Sequence, residues 1–152
     1  MKQYLPFLLV LCLFYLNTAK GQSANELPAK LIPGMWETDL VGMKNAIKRM
    51  DKSNYESLPK QVKERIEQSI STRVFVFSEE GDFEARWQLG DRKNSVKGNW
   101  GINAKGKLFL ELASGISEYR MNFTGNNKLV LIPERDQIGL IHELHFIKNK
   151  KE

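Results

Sequence analysis

The stretch DFEARWQLGDRKNSVKGNWGINAKGKLFLELASGISEYRMNFTGNNKLVLI, residues 82–132, decides the fold class. Phe83, Ala85, Trp87 and Leu89 alternate with Glu84, Arg86 and Gln88. A period of two places one set on the opposite side of a pleated strand from the other, so this run reads as a half-buried strand. Polar turn residues follow at Asp91 to Asn94. Val96, Gly98, Trp100 and Ile102 then alternate with Lys97 and Asn99. Asn103 to Gly106 turns into Leu108, Leu110 and Leu112, and Ser114-Gly115 turns into Tyr119, Met121 and Phe123. Gly125 to Asn127 turns into a strand over residues 128–132. Each strand follows the last through a short, turn-forming connection, which makes an antiparallel meander.

Working outward, residues 73–78 are β-branched and aromatic and read as the preceding strand, with Glu80-Gly81 as the turn. Gly139 to Ile147 reads as the last strand, reached through a loop at Pro133 to Gln137. A further short strand is expected at Met35 to Val41, behind Gly34. Between it and the meander the period changes. Met43, Ala46, Ile47 and Met50 share one helical face, as do Leu58, Val62, Ile66 and Ile70, with Ser57 as N-cap and Pro59 in the first turn. The expected fold is mainly β: about eight antiparallel strands in an up-and-down barrel, with a helical insertion over residues 42–71 between strands 1 and 2. No βαβ pattern occurs, which argues against a parallel sheet. Closure covers the apolar face and removes both sheet edges. A two-sheet sandwich is the alternative that strand patterning leaves open.

Residues 1–21 read as a secretory signal peptide: Lys2, an apolar run from Leu5 to Leu16, and small residues at Ala19 and Gly21, with cleavage before Gln22. The apolar run is too short for a stable membrane anchor, so a secreted or periplasmic protein is expected. Cys12, the one cysteine, falls in this segment. The remainder would then have no disulfide and no thiolate chemistry. Residues 22–33 form a polar lead-in with Pro28 and Pro33, residues 34–148 the barrel domain, and residues 149–152 a charged tail. The composition is that of a globular chain, 27% charged and 41% hydrophobic, and the formal charge of +5 falls to +3 without Lys2 and Lys20 of the leader, too small to be a nucleic-acid signature.

Gly34-Met35-Trp36 at the head of the first strand resembles the G-x-W signature of the lipocalins and the wider calycin group. Gly98-Asn99-Trp100 matches the later glycine-tryptophan pair of small secreted bacterial lipocalin-like domains. The resemblance implies a barrel with Gly34 and Trp36 as its structural signature and Trp36 plugging the base. It also implies an interior that takes a small hydrophobic ligand. Typical lipocalins pack an arginine over that tryptophan; the nearest residue here is Lys148, which lacks the planar head.

Period-two alternation predicts an inward face of Phe83, Ala85, Trp87, Val96, Trp100, Leu108, Leu110, Tyr119, Met121, Phe123, Leu129, Leu131, His142, Leu144 and Phe146. Of these, Trp87, Trp100, Tyr119, Met121, Phe123 and His142 are the candidate ligand-binding residues, with His142 the polar group of the cavity. His142 and His145 point to opposite faces of a strand, so no metal site is expected. No nucleophile elbow, phosphate-cradling loop or carboxylate pair stands out, so neither an enzyme nor a cofactor is expected. The function expected is binding of a small apolar or amphipathic molecule in the barrel, with the helical insertion as a lid over one mouth. The alternative is a non-enzymatic protein-interaction or inhibitor module on a filled barrel.

Overall fold

The computed structural model describes residues 26–49, 55–134 and 142–149. Residues 1–25, with the segment 1–21 read as a signal peptide, residues 50–54, residues 135–141 and the tail beyond Asn149 lie outside the described residues.

Eight strands close into one antiparallel barrel in sequence order: β1 (Gly34–Thr38), β2 (Val74–Phe77), β3 (Asp82–Leu89), β4 (Arg92–Ile102), β5 (Leu108–Leu112), β6 (Gly115–Thr124), β7 (Lys128–Pro133) and β8 (Leu144–Lys148). Closure is made by β1, which pairs with β2 on one side and β8 on the other. No edge strand remains to recruit another chain. This resolves the choice between barrel and sandwich.

The register carries the alternation inward. Phe75 faces Ala85, Ala85 faces Val96, Trp100 faces Leu110, Met121 faces Leu131 and Leu129 faces Phe146 across successive ladders. Four rings form the middle of the core. Phe75 lies 4.6 Å from Phe146 and 5.1 Å from Phe83, and Phe77 lies 5.1 Å from Phe83. Leu108, Leu110, Leu129 and Leu131 fill the space beside them, each at most 2% exposed. Eight strands leave an interior wide enough for side chains, and here the central layers are filled by them.

Several strand boundaries differ from the sequence reading: β7 runs on to Pro133, β8 begins only at Leu144, and two more concern β1 and β4. The first strand ends at Thr38 rather than Val41, because Asp39 caps a helix. Its carboxylate oxygen accepts the Gly42 N–H at 3.1 Å and its carbonyl accepts the Met43 N–H at 2.8 Å. A capping aspartate satisfies N–H groups that the first helical turn leaves free. The polar run Asp91 to Asn94 is only partly a turn: β4 begins at Arg92, and Asn94 pairs with Trp87 on the inward side.

Among the described residues three helices accompany the barrel: α1 (Glu26–Leu31), α2 (Leu40–Arg49) and α3 (Lys60–Ser71). The insertion between β1 and β2 is thus helical as expected. Behind Pro59, α3 starts with no side-chain cap bond, in place of the Ser57 cap the sequence suggested. The polar lead-in contains α1 and delivers Ile32 to the core at 0% exposure.

Gly98 explains its own identity. A Cβ there would overlap the Glu111 carbonyl oxygen and come within 2.8 Å of Leu112. Gly98→Ala is therefore expected to destabilise by about 1–3 kcal/mol, the range for forcing extra volume into packed structure. Urea unfolding of the two proteins side by side measures it. An unchanged midpoint would mean that β4 and β5 separate there at no cost.

Candidate binding region at the helix-covered end of the barrel

The two ends of the barrel are built differently. One end, the base, carries α1 and the β2–β3, β4–β5 and β6–β7 turns. Here Trp36 is 0% exposed. Its indole N–H donates to the Ile32 carbonyl at 2.7 Å. Lys148, on the inward face of β8 opposite Trp36, holds its ammonium 5.2 Å from the ring centroid and donates to the Leu31 carbonyl at 2.6 Å. A cation over an indole face is attracted by the ring quadrupole. Lysine thus takes the place over the tryptophan by charge alone, with no planar stacking. Burial pulls the Lys148 pKa below its ordinary value. Gly34 has φ +128°, and a Cβ there would meet the Lys148 stem at 2.9 Å. The G-x-W pair is therefore a closure device: the glycine gives the lysine room and the tryptophan receives it.

The other end receives α2 and α3, which leave β1 and re-enter at β2. Met43 Sδ on α2 accepts the His145 N–H at 3.2 Å at the start of β8. Arg49 pairs with Glu143 at 3.0 Å, and Glu143 also meets His145 Nε2 at 3.0 Å. On the far side, the Gln68 amide of α3 bonds both the N–H and the carbonyl of Gly90 in the β3–β4 turn. Thr72 Oγ1 accepts the Gln88 N–H at 2.8 Å. These bonds fasten the helices to strand ends. Met43, Ala46 and Ile70 are buried, yet they stand outside the continuous core cluster of the barrel. Ile47 and Ile66 are half-buried and Val62 is exposed.

The six residues singled out in the sequence separate along this axis. Trp100 and Phe123 belong to the base. The Trp100 N–H donates to the Ser78 carbonyl at 2.9 Å and its ring meets Phe77 edge-on at 5.6 Å, while Phe123 lies 6.4 Å from Trp36. Tyr119 is buried and Met121 half-buried, both on the inward side of β6. Trp87 is half-buried at the covered end, with Val96, Leu112 and Leu144 beside the core in the same state. His142 does not face the interior. It is exposed and precedes β8, which starts only at Leu144. Extending strand parity back from Phe146 placed it wrongly, because parity has no meaning before the ladder begins.

The sequence reading passed over Arg73. Arg73 continues the inward series of Phe75 and Phe77, and its carbonyl accepts the Thr38 N–H at 3.2 Å, which extends the β1–β2 pairing by a residue. Its guanidinium donates to Ser69 Oγ on α3 at 3.1 Å. Burial lowers its pKa from the ordinary arginine value, while the Tyr119 phenol acts in the opposite sense. The signal was available: Arg73 is the one charge in an otherwise aromatic alternate series.

Open grooves line the outside of this framework. One of about 380 Å³ runs along the rim by Thr72, Trp87 and Asn94, and one of about 410 Å³ lies between Ala29 of α1 and Trp100. Among the described residues no group of three or more His, Cys, Asp or Glu side chains converges to hold a metal.

Neither a protein-family model nor a curated protein matches the sequence. Among solved structures, the chain is similar to a crystal structure of a duf4847 family protein from Bacteroides vulgatus ATCC 8482. The identity is 14% and the TM-score 0.48, over 83% of this chain and 99% of that one.

Proposed function

We propose that this chain is a non-enzymatic binding protein that takes a small apolar or amphipathic molecule at the helix-covered end of a lipocalin-like barrel. One observation carries the reading. At the covered end the inward residues Trp87, Val96, Leu112 and Leu144 are only half-buried, as Trp100, Ile102 and Phe123 are at the base, and here two helices lie over that end. The helix residues above, Met43, Ala46 and Ile70, bury themselves without joining the barrel core. An apolar ligand between the two layers would take the remaining exposed area of the half-buried strand residues out of water, at about 25 cal/mol per Å². Methionine suits such a gate because its flexible thioether fills irregular gaps. Helices held mainly through strand-end bonds open more readily than barrel strands.

Hydrogen exchange with and without dodecanol tests this. Helices α2 and α3 are expected to exchange faster than β3 to β6 and to slow when the alcohol is present. Helices as protected as the strands, and indifferent to dodecanol, would sink the reading.

A second reading rests on exposed apolar side chains. Val41 is 70% exposed, Leu89 41% and Ile116 63%. A protein partner covering them would make this a protein-interaction or inhibitor module. Retention of a small molecule on native mass spectrometry favours the first reading, and a stable protein complex without one favours the second.

The export signal read in residues 1–21 belongs to the same proposal. Expressed whole in a bacterium, the chain is expected to yield a mature product beginning at Gln22. Amino-terminal sequencing decides it, and an intact Met1 would remove the secretion assignment.

A further inference from the structure

We propose that the groove along the outer rim of the β3–β4 hairpin is a second binding site, for an acidic saccharide. It does not rest on the apolar reading above and takes a ligand of different chemistry. Three observations carry it. First, the hairpin stands clear of its neighbour. Strand β2 starts at Val74, which pairs with Arg86, so Trp87, Gln88 and Leu89 run on past it and leave a groove of about 380 Å³ beside Thr72. That volume lies in the lower part of the range for small-molecule sites. Second, Trp87 differs from the other two tryptophans. The Trp36 and Trp100 N–H groups donate to the Ile32 and Ser78 carbonyls. The Trp87 N–H has no acceptor among the described residues. Every fully buried side-chain nitrogen among them has a partner, so this N–H opens onto space that solvent reaches. Third, the groove is charged unevenly. Its lining holds Arg86 and Lys93 against Glu84 alone, and Glu84 is already bonded to Arg86 at 2.9 Å. No carboxylate among the described residues pairs with Lys93.

These groups match a sugar better than an alkyl chain. An indole supplies an apolar face for the C–H side of a pyranose ring and a donor at its edge. A hydroxyl both donates and accepts, and the lining offers both kinds of partner. The Trp87 N–H, the Ser95 hydroxyl and the Lys93 ammonium donate, while the amide oxygens of Gln88 and Asn94 accept. Trp87 is the one large apolar side chain of the groove, too little surface to hold an alkyl chain by burial. The uncompensated Lys93 suits one negative charge, which a uronate carboxylate supplies through a charge-assisted bond.

The test titrates tetragalacturonate and maltotetraose, an acidic and a neutral saccharide of equal ring number, into the intact protein by calorimetry. Neutral pH and about 0.15 M salt screen long-range attraction to a basic chain. Tetragalacturonate is expected to bind at least about tenfold more tightly, as for a hydrogen bond to a charged group. Lys93→Gln is expected to bring that ratio towards one. Lys30→Gln, the same loss of charge at an exposed position of α1, is expected to leave it unchanged. Trp87→Phe keeps an aromatic ring and deletes the N–H, and is expected to weaken both saccharides by a similar factor. Equal affinities in the unaltered protein, or binding of neither saccharide, would overturn the site whether or not any variant folds. Equal effects of Lys93→Gln and Lys30→Gln would overturn it too, since attraction would then follow net charge alone. Undiminished binding in Trp87→Phe would put the saccharide elsewhere, with the same result.

Discussion

Trp36→Ala is expected to remove about 3–5 kcal/mol of stability, the range for truncating a large buried aromatic. Three losses coincide at this position. The indole is 0% exposed, so its removal leaves a cavity among Ile32, Phe123 and Lys148 rather than a surface notch. The Ile32 carbonyl loses the N–H that satisfies it in a buried place, and an orphaned buried acceptor carries its own penalty. Lys148, already lowered in pKa by burial, loses the ring face beneath its ammonium. Urea unfolding of the purified domain measures the sum. A loss well under 1 kcal/mol would mean that α1 and Lys148 close the base without the tryptophan. The companion Trp36→Phe separates the terms, since it retains most of the packing and deletes the N–H bond. Lys148→Met in combination with either is expected to be non-additive, because both residues act through one contact.

Phe75→Ala is the second large loss, again about 3–5 kcal/mol. Phe75 sits at the junction of rings, 4.6 Å from Phe146, 5.1 Å from Phe83 and 6.2 Å from Phe77, and it opposes Trp36 on β1. Tilted and edge-on pairs of this kind add stabilisation beyond burial of area. Strands β1, β2, β3 and β8 all contribute to this cluster or face it, so the void cannot be filled by moving one strand alone. Ile116→Ser supplies the contrast. At 63% exposure that side chain has little packing to lose, and a change within about 0.5 kcal/mol is expected. Similar losses for Phe75→Ala and Ile116→Ser in the same unfolding experiment would contradict the assignment of the aromatic cluster as the centre of the core.

Of the candidate site, the sequence made the materials legible but not their division between the two ends. Trp100 and Trp87 look alike as inward members of neighbouring strands, and local pattern cannot rank their heights in the barrel. Height is set by strand tilt and stagger, which are properties of the closed sheet. Only the structure shows Trp100 bonded to Ser78 at the base and Trp87 half-buried under the helical end. Arg73 was overlooked for a related reason. Taken singly, a charge at the start of a strand is an ordinary solvated residue. Its significance comes from α3, whose Ser69 and Ile70 lie beside it and limit its access to water.

The strands from β3 to β7, their inward residues and the helical insertion were determined by the chain itself. Side-chain period is a local property, and β-hairpins link residues only a few positions apart. G-x-W was likewise readable, although its meaning as a closure device was not. Tertiary structure alone decided four things: that β1 meets β8, that α1 seals the base, that Lys148 rests on Trp36, and that His142 stays outside while Arg73 turns inward. Each depends on partners remote in sequence, as Leu31 and Lys148 are in the bond between α1 and β8. A residue's own neighbours carry no record of such a partner. The free energy that selects the contact appears only when the barrel closes and water leaves both sides.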